Sequence, residues 1–135
     1  MFINHLLNAL TLFDTGSTTD IVSPEYARVA GLSVFSLNVP VPLQLGCVGS
    51  RSSINYGVTP HVTFGPVSGP WYFDLANIDR YDVILGIPFM MHAGIILDLT
   101  TREVRIGSSV FPALKVGEDP RMPRVKKPTP TKQSD

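Results

Sequence analysis

The sequence contains a single cysteine, Cys47, among 135 residues. That excludes an internal disulfide framework and any zinc site built on cysteines. It fits a reducing compartment, so a cytoplasmic location is the expectation. Charge of either sign is also scarce. Charged residues make up 16% of the chain, and eleven basic residues cancel eleven acidic ones. Such a balance does not suggest a nucleic-acid binder. Long apolar runs are missing too. The longest, Val83 to Leu97, is interrupted by Gly86, Pro88, His92 and Gly94, and it falls short of the roughly 20 residues that span a bilayer. No membrane partner is therefore expected. The three histidines, His5, His61 and His92, show no metal-ligand spacing, so neither a metal nor a cofactor is expected. There is no G-x-S-x-G elbow, P-loop or G-x-G-x-x-G, which leaves serine-nucleophile and nucleotide chemistry without a motif.

What is present is apolar and strand-forming. Hydrophobic residues reach 44%, enough for one packed domain. Twelve prolines and eleven glycines leave little room for long helices. Abundant aromatic and β-branched residues favour strands. The opening "MFINHLLNALTLF" lacks a basic n-region and a small-residue cleavage pattern, so it reads as strand rather than signal peptide. The composition changes near the end. Residues 1–116 read as one domain. Residues 117–135, "GEDPRMPRVKKPTPTKQSD", hold four prolines and almost nothing apolar, and read as a disordered tail or linker.

Within the domain, Ala9 to Phe13 reads as a strand, and extended structure resumes at Thr19 to Val22. "SPEYARVAGL" predicts a short helix with Ser23 as N-cap, Pro24 first, and Gly31 at its end. Alternation from Val39 to Leu45 predicts a half-buried strand leading to the glycine- and serine-containing "GCVGSRSS". Val58 to Phe64 and Trp71 to Ile78 read as strands joined by a "GPVSGP" turn. "YDVILG" predicts a buried strand, "IPFMMHAG" a brief helical turn, and "IILDLTTREVRI" a hairpin. The sum is six to eight short strands and one or two short helices. The expected class is all-β, a small closed or partly open barrel.

The stretch "LFDTGSTTDIV" sets Asp14 directly after an apolar strand. A lone Asp-Thr-Gly is most simply a turn, with Asp capping nearby N–H groups and Gly supplying the bend. Its surroundings say more. The chain runs from strand–D-T-G-S through a short helix and a glycine-tipped hairpin to a strand ending I-L-G and another short helix. The stretches "ALTLFDTGSTTDIVSPEYARVAGL", "VPLQLGCVGSRSSINYG" and "IDRYDVILGIPFMMHAGIILDL" together resemble the retropepsin-like aspartic proteases, especially those of Ty3/gypsy long-terminal-repeat retrotransposons.

The resemblance implies an aspartic endopeptidase with half of an acid-protease barrel in each chain. Two carboxylates about 3 Å apart cannot both ionise and share one proton. One takes a proton from the attacking water and the other protonates the scissile carbonyl. Asp14, Thr15 and Gly16 are then the catalytic motif. Thr15 braces the two loops, Gly16 admits close backbone approach, and Ser17 hydrogen-bonds the outer oxygen of Asp14. Gly86 permits close packing beside the loop. Gly46, Cys47, Val48, Gly49 and Ser50 form a flap over the substrate. Asp20, Asp74, Asp79, Asp82 and Asp98 are not followed by [ST]-G, so the second carboxylate comes from a second copy in a homodimer. The implied substrate is an unstructured polypeptide, such as a parent polyprotein. The chain departs from the pattern in its short lead-in to the motif and in Ile87-Pro88 after I-L-G. The alternative is a catalytically inactive, domesticated dimerisation or peptide-binding module.

Overall fold

The computed structural model of the chain describes residues 2–3, 7–42 and 53–113. The proposed flap, Gly46 to Ser50, and the 117–135 tail lie outside the described residues. In chain order the strands are β1 (Phe2–Ile3), β2 (Leu7–Asn8), β3 (Thr11–Phe13) and β4 (Ile21–Val22), followed by the helix α1 (Pro24–Val29). Then come β5 (Phe35–Pro42), β6 (Ser53–Val58), β7 (His61–Phe64), β8 (Val67–Pro70), β9 (Phe73–Leu75) and β10 (Val83–Leu85). The helix α2 (Ile87–Ala93) leads to β11 (Ile95–Asp98), β12 (Glu103–Ile106) and β13 (Ser109–Pro112). The all-β class expected from the sequence is what forms.

The strands are more numerous and shorter than six to eight, for local reasons. The stretch Val58 to Phe64 is not one strand, because Pro60 cannot donate a ladder hydrogen bond and the chain breaks there into β6 and β7. "GPVSGP" is not one turn. Only Gly65 and Pro66 turn, with Gly65 at φ 57°. The rest becomes β8, paired antiparallel with β7 from Phe64↔Val67 to His61↔Pro70. A two-residue loop of this kind needs positive φ, which Gly65 supplies.

A six-stranded sheet ordered β3-β10-β4-β9-β6-β5 carries the motif. It has two ends, so the barrel is partly open rather than closed. Strand β10 lies between β3, with which it runs parallel, and β4, with which it runs antiparallel. Its Val83, Ile84 and Leu85 are 0, 2 and 0% exposed. Burial on both faces explains why this strand is a continuous apolar run with no alternation. One face packs into the main core, with Val22, Val58, Phe73, Leu85 and Phe89. The other holds a smaller cluster of Ile21, Ile54, Ile78 and Ile84, with Leu12 packed against it.

The helices match their sequence signals. Ser23 caps α1, its hydroxyl accepting from Tyr26 N–H at 3.0 Å. Pro24 follows, and Gly31 leaves the helix at φ 68°. Two turns of α2 end at Gly94, with φ 65° and ψ 45°. This glycine is the left-handed stop that such an end favours.

The third sheet, β11-β12-β13, turns at Asp98. Its Oδ1 accepts from the N–H groups of Thr100 and Thr101, at 2.9 and 3.1 Å. Its Oδ2 lies 2.8 Å from Arg105. The Thr101 N–H first, and Arg105 second, pull the Asp98 carboxyl down to about 2 from an ordinary value of 3.8. A depressed acid stabilises the folded state above its unfolded pKa, and that contribution is lost as pH falls through the folded one. We therefore expect an NMR pH titration to place Asp98 near 2. Arg105→Ala should raise it only part of the way toward 3.8, because the Thr101 N–H remains. A full return would mean that the turn contributes nothing.

Candidate active site

The chain is held beside β10 from the residue before β3. Leu10 N–H donates to Asp82 Oδ2 at 2.8 Å, and Leu10 O accepts from the N–H groups of Asp82 and Val83. The parallel register then runs Val83↔Thr11, Ile84↔Leu12 and Leu85↔Phe13. Asp14 extends this ladder, its N–H donating to Leu85 O at 2.9 Å. Alternation along the strand puts Leu12 against the small isoleucine cluster and Phe13 against the main core.

The loop that follows folds back on itself. Ser17 N–H donates to Asp14 O at 3.0 Å, and Gly16 N–H donates to Asp14 Oδ1 at 2.9 Å. Asp14 Oδ2 is buried and has no hydrogen-bond partner among the described residues. Thr15 and Gly16 are exposed beside it.

The close approach expected at Gly86 is present, and it is backbone on backbone. A β-carbon there would lie 2.4 Å from Thr19 O and 2.6 Å from Ser17 O. Ile87 N–H completes the contact, donating to Ser17 O at 3.0 Å. Ser17 differs from expectation. It is fully buried, and its hydroxyl donates to Thr19 O at 2.7 Å. The hydroxyl therefore shapes the loop and does not bond the outer oxygen of Asp14. The reason is geometric, because the Gly86 contact pins the Ser17 backbone against the β10–α2 turn.

Asp20 is followed by Ile21-Val22 and not by Ser-Gly or Thr-Gly, so the sequence motif assigns it no role. In the structure it ties the site together. It is 5% exposed. Its Oδ1 accepts from Gly86 N–H at 2.7 Å, and its Oδ2 accepts from Trp71 Nε1–H at 2.8 Å. Phe89 N–H is a further donor to it. The available signal was a charged residue directly before the buried pair Ile21-Val22, in a chain with a single tryptophan to meet it. Burial raises the Asp20 carboxyl above 3.8, the three donors oppose that shift, and the nearby Asp74 charge adds to it. An open cavity of about 330 Å³ lies beside the loop, lined by Thr18, Thr19, Asp20, Trp71, Tyr72, Asp74 and Pro88. No group of three or more potential metal ligands occurs among the described residues.

Asp20→Asn should lower stability by about 1–3 kcal/mol in urea titrations, because the amide NH₂ must face a buried N–H donor. The pH dependence has a defined sign. The folded chain holds the Asp20 proton more tightly than the unfolded chain, so this residue lowers stability as pH rises from 3.8 through its raised value. The variant should lack that fall. Equal stability and equal pH slope in both proteins would contradict the bridging role.

Neither the protein-family models nor the curated protein sequences give a match to this chain. Solved structures do match. Among them is the crystal structure of the retroviral protease-like domain of Ddi1 from Leishmania major, at 20% identity and a TM-score of 0.65. The match covers 87% of this chain and 92% of that domain. At that identity the likeness concerns the fold, and the fold of this chain is retropepsin-like.

Proposed function

We propose that the chain is an aspartic endopeptidase that works as a homodimer. The observation that carries this reading is Asp14, a carboxylate at the end of a strand paired in parallel with the buried β10. One of its oxygens is held by Gly16 N–H, and the other is buried without a partner among the described residues. A second Asp14 related by a two-fold axis supplies that partner. The pair shares one proton, because two adjacent carboxylates repel each other's ionisation. The ionised member accepts a proton from water as it attacks the peptide carbonyl, and the protonated member donates to the carbonyl oxygen. The exposed Thr15 of each copy braces the opposite loop. Residues 46–50 serve as the flap that closes over the substrate.

The fold, shared with a retroviral protease-like domain, supports the reaction class. The motif order resembles Ty3/gypsy retrotransposon proteases, which makes an unstructured polypeptide, and a parent polyprotein above all, the proposed substrate.

Purified chain should cut an unstructured peptide with a bell-shaped pH profile, as expected for a shared-proton pair. Asp14→Asn should lower kcat/KM by about a thousandfold or more. Glu25→Gln, on the exposed face of α1, should leave it unchanged. Cleavage untouched by Asp14→Asn would place the activity elsewhere. Absence of cleavage by the wild-type chain would instead favour a non-catalytic peptide-binding module.

A further inference from the structure

We propose that the cavity beside the Asp14 loop is a subsite for one basic side chain, arginine or lysine, of a bound polypeptide. The cavity's acids carry the argument. Asp74 is 5% exposed, in the interior of the six-stranded sheet. Its Oδ1 accepts from the Tyr72 hydroxyl at 2.5 Å. Its Oδ2 accepts no hydrogen bond among the described residues. Asp20 differs, because both of its oxygens are already bonded within the chain. Asp74 is therefore the wall group with free acceptor capacity. Thr19 Oγ1 is also buried and has no partner among the described residues.

Among the described residues no ion pair joins a basic side chain to either acid. Arg28 pairs with Glu25, and Arg105 pairs with Asp98 and Glu103. Neither Asp20 nor Asp74 takes part in any of them. A desolvated carboxylate is costly unless a cation or strong donors meet it, and this one faces an open cavity.

The remaining walls suit an organic cation better than a bare metal ion. Trp71 and Tyr72 are among the lining residues, and aromatic side chains attract guanidinium and ammonium groups. Tyr72 is fixed in place. A β-carbon at Gly57 would lie 2.5 Å from its ring, so the ring rests directly on the glycine backbone. The Tyr72 hydroxyl is pushed upward in pKa, by burial first and by Asp74 second, and so stays a donor. The volume of about 330 Å³ falls at the small end of ligand pockets, in keeping with one side chain.

The inference rests on the polypeptide-cleaving reading only for where the side chain sits along a substrate. Thr18 and Thr19 lie four and five positions after Asp14. The subsite therefore serves a residue displaced from the cleaved bond.

The test measures binding without cleavage, so it stands whether or not Asp14 hydrolyses anything. Full-length protein carrying Asp14→Asn is titrated with tryptophan-free, unstructured peptides built around an apolar pair. Each peptide carries arginine, or its neutral isostere citrulline, at one position moved stepwise to either side of that pair. Trp71 is the single tryptophan, so its fluorescence reports on the cavity wall. At one placement arginine should bind about tenfold tighter than citrulline and shift the Trp71 emission. Asp74→Asn added to the same protein should bring the two affinities to within about twofold. Arginine and citrulline equal at every placement, including no binding of either, would overturn the proposal. That comparison uses native Asp74 and holds even if the Asp74 variant does not fold. An arginine preference that survives in a folded Asp74→Asn protein would overturn it as well.

Discussion

The backbone contact at Gly86 is the constraint on which the site depends. Without a side chain there, the β10–α2 turn settles against the carbonyls of Ser17 and Thr19. The same residue's N–H reaches Asp20, and the next N–H reaches Ser17. The loop carrying Asp14 is thereby fixed at both ends, by the β3–β10 ladder before it and by the turn after it. A carboxylate held so firmly loses little entropy on meeting a partner, which is what preorganised chemistry requires. The small isoleucine cluster and the main core press on the same strands from opposite faces. Stability and site geometry are therefore supplied by the same few buried residues.

Three acids share this region, and their surroundings divide their tasks. Asp14 sits at a strand end, with one oxygen held by Gly16 N–H and the other without a partner among the described residues. Asp20 is consumed by donors from the protein itself and acts as a bracket. Asp74 spends one oxygen on Tyr72 and turns toward a cavity. Residue type alone would not separate them. Burial and the count of donors do so.

Much of this was legible in the sequence. The D-T-G-S and I-L-G strands, the Ser23 cap, the Gly31 stop and the 95–106 hairpin follow from local rules, and they form where those rules place them. The strand count was not legible, because Pro60 and the Gly65-Pro66 turn cut apparent single strands into pairs. Ser17 and Asp20 depart from the sequence reading for different reasons: the Ser17 hydroxyl turns to Thr19 O two residues on, whereas the partners of Asp20 lie far along the chain. The partners of Asp20, Gly86 N–H and the Trp71 indole N–H, become its neighbours only in the folded chain. No spacing rule within "DTGSTTDIV" encodes a contact made across 66 residues.

The central claim is that each chain supplies one acid to a shared site. It is tested most directly by mixing wild-type protein with a growing excess of the Asp14→Asn chain, then measuring the peptide cleavage that remains. If the copies pair at random, a tenfold excess of inert chain should leave roughly a tenth of the activity per wild-type chain. Activity that stays constant across the titration would show that one chain cleaves alone, and would contradict the account.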